Sequence, residues 1–349
     1  MRASSRCIFS LLFVATFTLA VACRPSSAAP LGKLSKAFRG EVIHIVVGYG
    51  AGGGFDLYAR FLAEQLGSEL DATVVVDNRP GGGGLVALNN VFAAEPDGLT
   101  LALINGPAAL FTQLLELEGV RYDLGAAAWI GCIHSEPVVL LWSTASPFRT
   151  LSDARSSVRP VRFGASGKVD GLGNTAALAA EAFGLDARII IGYKGSREAA
   201  LAAIRGEVDG IVLSASTARR LAEAGDFNPV VVLARQRSPD LPTVPTPFEI
   251  DDVLPKSVWW LEYQERTMAL GRSLLAPPGV PAERLSVLRD ALHQVATDPE
   301  SIAKARSLGL PIAYGSPNEL TLHVRSAFGA SDERIKAELR RVVLEKYYR

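Results

Sequence analysis

Two α/β lobes with a cleft between them are the architecture this sequence predicts, and three observations predict it. Short β-branched runs alternate with amphipathic helical periods from Glu41 onward. The rhythm restarts near Pro137. The length, 349 residues, exceeds the roughly 250–300 at which a single core stops growing. Composition narrows the class further. The 36 basic and 36 acidic side chains cancel, which removes the broad positive field that non-specific nucleic-acid binding needs. With 48% hydrophobic and 21% charged residues the chain is not largely disordered. The 32 glycines and 20 prolines are too many for a helical bundle or coiled coil.

The first 29 residues read as a signal peptide. Arg2 and Arg6 give a positive start, and the apolar stretch 8–22 is 15 residues long, short of the about 20 a membrane span needs. Two processing sites compete. Ala20-Val21-Ala22-Cys23 resembles a bacterial lipobox that would leave Cys23 lipidated, and a conventional cut falls near Ser26–Ala29. The expected location is the periplasm, either free or lipid-anchored. Removing 1–29 takes three arginines and no acid, so 36 less three leaves 33 basic against 36 acidic residues. Cys132 is then the one cysteine besides Cys23, so no disulfide staples the core.

The elements follow in order. Strands are read at 41–48, 73–78 and 99–104, separated by helices at 55–67 and 85–94. These strands are nearly continuous in apolar residues, as parallel strands covered on both faces are. A second set has strands at 137–142, 161–166, 188–193, 209–215 and 229–234, with helices at 174–184 and 197–206. The Pro-rich stretch 238–250 reads as a linker or surface strap, followed by a helix at 281–296 and a long helix within 318–346. The expected division is 40–136 with 238–349 as lobe 1 and 137–237 as lobe 2.

The sharpest local signal is GYGAGGGFD at 48–56, where Gly48, Gly50 and Gly53 satisfy G-x-G-x-x-G between a strand and a helix, with Asp77 closing the next strand. Glycines let backbone approach an anion, and a helix N-terminus offers N–H groups and a positive dipole end. Whether that anion is a pyrophosphate or a carboxylate is not fixed by the motif. DNRPGGGG at 77–84 reads equally as a tight turn or a ligand contact, and Asn105 ends the third strand as a further wall of the same site. In the second lobe, FGASGKVDGLGN at 163–174 is no P-loop, since Val169 stands at the Ser/Thr position and Arg162 at the first Gly. YKGS at 193–196 sets Ser196 as an expected N-cap and Tyr193 as a wall or core residue. No spacing among His44, His134, His293 and His323 makes a metal site, and H-E-x-x-H, C-x-x-C and G-x-S-x-G are absent. No cofactor or metal is expected.

Taken as an ordered set, GAGGGFD, ARFLAEQL, VVVDNRPGGGG, AAEPDGLTLAL, YKGS, GEVDG, RSPDLPTVPT and LLAPPGVPAERL resemble the substrate-binding receptors of tripartite tricarboxylate transporters, the Bug-type receptors. The resemblance runs from about 41 to 320. It implies a type II periplasmic-binding-protein (Venus-flytrap) fold, each lobe a mostly parallel sheet flanked by helices. It implies a monomer that closes on a small organic carboxylate and delivers it to membrane permease subunits. Carried over residue by residue, first-lobe contacts fall on Tyr49, Gly50, Ala51, Gly52 and Gly53, with Asp56 organising the loop. Second-lobe contacts fall on Ala165, Ser166, Gly167, Tyr193 and Ser196. The chain departs from the family pattern at bulky Phe55, at GKVDGLGN, which brings Lys168 and Asp170 near the site, and at 259–273, which looks long. The competing reading from the residues alone is a secreted α/β enzyme or a dinucleotide-binding oxidoreductase using the turn at 48–53.

Overall fold

The computed structural model describes residues 36–168, 170–250 and 258–348. The expected signal peptide, Cys23 and Val169 lie outside the described residues. Among the described residues, ten strands form two five-stranded sheets. The first half of the chain builds β1 (Val42–Val47), α1 (Gly54–Leu70), β2 (Thr73–Asn78), α2 (Leu85–Phe92), β3 (Thr100–Asn105), α3 (Gly106–Leu114) and β4 (Ala128–His134). Then follow β5 (Val138–Ser143), α4 (Leu151–Arg155), β6 (Val161–Gly164), α5 (Gly171–Phe183), β7 (Ala187–Ile190), α6 (Ser196–Ile204), β8 (Gly210–Ser214), α7 (Ala215–Glu223) and β9 (Phe227–Val232). The last part contains α8 (Val258–Met268), β10 (Arg272–Ala276), α9 (Ala282–Thr297), α10 (Pro299–Ser307), α11 (Pro317–Gly329) and α12 (Glu333–Arg340), with a π-helical turn at Arg341–Lys346.

The sheet orders are β2-β1-β3-β10-β4 and β7-β6-β8-β5-β9. They share one pattern, in which the fourth strand arrives from the other lobe. The chain leaves the first sheet after β4 and enters the second as β5, and after β9 it returns through α8 as β10. The visiting strands run antiparallel to their neighbours, whereas β1 pairs in parallel with β2 and β3, and β6 with β7 and β8. Each sheet is therefore mostly parallel in strand direction but mixed, because the one strand that crosses between lobes enters from the opposite end.

Alternation along the strands sets the cores. Ile43, Ile45 and Val47 of β1 join Leu101 and Leu103 of β3 in one buried cluster, while Val46, Ala102 and Ile104 face the other side. Both faces are covered by helices, which explains the continuous apolar runs. Trp142, Phe163 and Ile211 centre the second lobe's core.

The C-terminal helices divide between the lobes, where the sequence expectation gave all of 238–349 to lobe 1. Residues Val287, Leu292 and Val295 of α9 pack in the first sheet's core. Leu339, Val342, Val343 and Tyr347 pack in the second lobe's core. Ile189 of the edge strand β7 donates its N–H to the Tyr347 carbonyl at 2.7 Å, so the chain's end covers an otherwise open sheet edge. The long helix expected within 318–346 is broken after Gly329, where Asp332 caps α12 by accepting from the Ile335 N–H at 2.8 Å. Strands β4 and β10 carry no sequence expectation, since both are poor in β-branched residues: β4 has Ile130 and Ile133 with Gly131 between them, and β10 has none.

Candidate functional site

The cleft between the sheets is built from the strand-to-helix loops at the C-terminal ends of the parallel strands, where open α/β sheets place ligands. It encloses about 870 Å³, solvent at its mouth included, and Tyr49, Gly53, Asn105 and Ser196 of the expected site residues line it.

Loop 48–54 comes from β1 into α1. Gly53 is the N-cap of α1 and, having no side chain, leaves the helix uncapped. Asp56, two residues into the helix after Gly54, reaches back and accepts the Gly52 N–H at 2.8 Å. Burial raises the Asp56 carboxyl, but hydrogen bonds from Arg60, the Gly52 N–H and Asn78 hold it below its ordinary value. The acid thus shapes the loop and is itself neutralised by Arg60, 3.0 Å away. The Gly50 N–H is also engaged, donating to Lys194 O of the second lobe at 2.7 Å. Gly50 and Ala51 line a separate outer hollow with Lys194 and Arg197. Tyr49 donates its hydroxyl to Gly83 O at 3.1 Å and stacks on Phe55 with centroids 4.9 Å apart.

The other glycines serve close packing. A Cβ on Gly48 would stand 2.5 Å from Gly84 Cα, so the second glycine loop lies directly on the end of β1. That loop also reaches the second lobe, where a Cβ on Gly83 would meet Asp170 Cβ at 2.7 Å and one on Gly167 would meet Gly83 N at 3.2 Å. The G-x-G-x-x-G spacing therefore brings backbones together.

In the second lobe, Gly195 is the N-cap of α6, again with no side-chain cap. Ser196, the expected N-cap, is the first helical residue. Glu198 reaches back to the Lys194 N–H at 2.5 Å, the same device as Asp56 in the first lobe. Loop 165–170 is closed on itself: Asp170 caps α5 through the Gly173 N–H at 2.6 Å and accepts from the Ser166 N–H and hydroxyl. Asp170 is fully buried, and burial outweighs these bonds to raise its carboxyl. Ala165 is buried, and its N–H donates to Ile190 O at 2.9 Å. Tyr193 is half-buried against the second lobe's core. The Lys168 ammonium lies 5.8 Å from the Tyr348 ring, turned toward the C-terminus.

The cleft floor is a polar cluster that no motif announces. Arg272, the first residue of β10, pairs with Glu136 in the first crossing, and both side chains are buried. Arg272 also donates to Ser214 Oγ at 2.7 Å and lies 4.6 Å over the Tyr58 ring and 5.3 Å over Phe55. Glu136 accepts from the Ser216 N–H at 2.6 Å and its hydroxyl at 2.8 Å, which caps α7 from outside. Burial opposes charge on Glu136, but Arg272 and His134 hold the carboxyl far below its usual range. The ion pair ties the two strand crossings together. Its sequence signal is a lone acid in SEPVVLL and a lone base in GRSLLA, each beside an apolar run. Asn174, Thr175, Thr217 and Gln264 complete the polar lining, with Phe55, Phe111, Leu172 and Met268 as apolar wall. Cys132 is buried, its thiol pushed up to about 11. Among the described residues no His/Cys/Asp/Glu group could hold a metal ion.

Two mixed sheets, joined by two strand crossings and a third at the C-terminal helices, with a cleft lined by helix N-termini, define the bilobed solute-binding class. Residues 58–328 match the sequence model of the tripartite tricarboxylate transporter family receptor, and the chain belongs to that family. It is a receptor family, not a family of enzymes, and the protein is a solute-binding receptor. Protein BugT of Bordetella pertussis is 25% identical over 84% of this chain and 87% of its own. A UPF0065 protein of the same organism is 27% identical over 83% and 85%. Among solved structures, the periplasmic binding protein BugD superposes with a TM-score of 0.72 at 22% identity, covering 86% of this chain and 97% of its own. A Rhodopseudomonas palustris protein, MatC, solved with malate, has a TM-score of 0.70 at 20% identity over 85% and 98%. An R. palustris protein solved with adipate has 0.72 at 23% over 86% and 96%.

Proposed function

We propose that the protein captures a small organic carboxylate between its lobes in the periplasm and delivers it to the membrane subunits of a tripartite transporter. One observation carries this reading: the N-termini of α1 and α6, one from each lobe, lack side-chain caps and contribute lining residues to the same cleft. The first N–H groups of a helix have no intrahelical partner, and the dipole favours an anion there. A carboxylate bridging both termini would draw the lobes together by preferring the closed state. The malate and adipate held by the two R. palustris proteins support this ligand class.

In this reading Tyr49, Gly53, Asn105 and Ser196 face the ligand, while Asp56 and Asp170 shape the loops. The first lobe is built on β1 to β4 with β10, and the second on β5 to β9 with the chain's end. Residues 1–29 direct export, with Cys23 or the 26–29 region as the processing site, and the receptor acts as a monomer. Among the described residues no helix is long and apolar enough to cross a membrane.

Calorimetry of the exported chain against mono-, di- and tricarboxylates and against NAD tests the reading. Saturable binding of at least one carboxylate is expected. Binding of NAD with every carboxylate inert would overturn it in favour of the dinucleotide alternative.

A further inference from the structure

Two buried side chains of the cleft have no hydrogen-bond partner at either polar atom: His134, which lies 3.6 Å from Glu136, and Gln264. Gln264 of α8 lines the cleft and is 1% exposed, yet neither its amide nitrogen nor its amide oxygen has a hydrogen-bond partner. A buried, unpaired amide is costly to folding, and such groups persist where something else satisfies them. Its surroundings are mainly apolar: α8 packs against α3 and α5, and Phe111, Leu172 and Met268 line the same cleft, with Asn174 and Thr175 as the polar groups that α5 contributes. Arg272 and Glu136, the lysine, arginine, aspartate and glutamate side chains that line the cleft, are paired with each other. Among the described residues, no lysine or arginine other than the paired Arg272 lines the cleft to receive a second carboxylate.

We infer that the ligand is an organic monocarboxylate with an apolar body and an uncharged hydrogen-bonding group, and that Gln264 reads that group. The inference rests on the cleft being the carboxylate site. A primary carboxamide is the complement that satisfies both atoms of Gln264 at once, donating to its oxygen and accepting from its nitrogen. A second carboxylate could accept from the nitrogen but would leave the oxygen unpaired and bring an uncompensated charge into an apolar wall. A bare alkyl end would leave both amide atoms unpaired.

Two matched sets test this by calorimetry: adipate, its monoamide and hexanoate, and terephthalate, its monoamide and benzoate. The native chain is expected to bind the monoamide of at least one set about tenfold or more tighter than its diacid or its plain acid. Gln264→Leu should erase that preference while changing the plain acid's affinity by no more than about threefold. It should also raise the melting temperature of the ligand-free chain, because leucine removes the unpaired amide, whereas a glutamine that held the fold together would lower it. A diacid binding tightest, a preference that survives Gln264→Leu, or a lowered melting temperature would each overturn the inference and leave the carboxylate reading intact. If none of the six compounds binds, this inference falls, and the carboxylate reading falls with it only when the wider panel of carboxylates is inert as well.

Discussion

Of the five strand-to-helix turns that reach the cleft, the one into α3 is capped by the Asn105 amide, and the four that use an acid divide into two kinds. At α1 and α6 the N-cap is glycine, and an acid at the third helical position, Asp56 or Glu198, reaches back to an N–H before the cap. At α5 and α7 a carboxylate sits on the helix end itself, from Asp170 within the turn or from Glu136 across the crossing. All four turns use an acid, but only the first kind leaves the leading N–H groups without a side-chain acceptor. The difference assigns the roles. On the proposed reading, capped ends lend rigidity, and each lobe keeps one open end for an external anion.

The most disruptive way to break this division is to strip the α7 cap of its counter-charge. Arg272→Leu leaves Glu136 buried with no guanidinium beside it. Removing one partner of a buried ion pair typically destabilises by about 3–5 kcal/mol. Urea unfolding of the ligand-free chain should register a loss of that size. The double variant Glu136→Gln with Arg272→Leu should recover much of it, since no stranded charge remains. A single variant as stable as the native chain would mean that the pair does not join the crossings.

A gentler change converts one kind of turn into the other. Gly53 has φ −79°, which any residue adopts, whereas neighbouring Gly52 at φ +79° would strain a side chain. Gly53→Asp installs a resident carboxylate at the open end of α1. Because glycine is itself a tolerable N-cap, stability should rise by only a few tenths of a kcal/mol. Affinity for whichever carboxylate binds the native chain should fall by about 10–100-fold, the worth of charge-assisted hydrogen bonds to an anion. Calorimetry measures both partners of this contrast when Gly53→Ala is run beside it, and an unchanged affinity in the aspartate variant would remove α1 from the site.

Part of this contrast is legible in the sequence. Asp56 is read as organiser of the first turn, whereas Ser196 is the expected N-cap of the second, where Gly195 caps α6 and Glu198 reaches back to the Lys194 N–H. The parallel strands are legible, as burial on both faces leaves unbroken apolar runs. What stays hidden is held by distant contacts. Glu136 and Arg272 are joined only because two crossings lie side by side, and neither flank hints at the other. Gln264 sits in a segment whose polar and apolar residues give no clear face until α3 and α5 surround it. The return of Leu339 and Val343 to the second lobe depends on a helix break at Gly329 and Asp332 that the apolar rhythm alone runs through.

The smallest expected effect concerns the acid that shapes an open turn without closing it. Asp56→Asn keeps an acceptor for the Gly52 N–H but gives up the charge that faces Arg60. Hydrogen bonding holds the folded-state carboxyl below its ordinary value, so ionised Asp56 stabilises the fold above its unfolded pKa of about 3.9. That contribution is lost as pH falls through the lower folded-state value. The variant should therefore be less stable than the native chain by about 1 kcal/mol at neutral pH, a typical net worth for such a bond. The gap should close as the medium is acidified below about 3.9. Urea unfolding at a series of pH values reads it directly. A gap that widens on acidification would show that folding raises the Asp56 pKa instead of lowering it, and that the ionised carboxylate does not hold the turn.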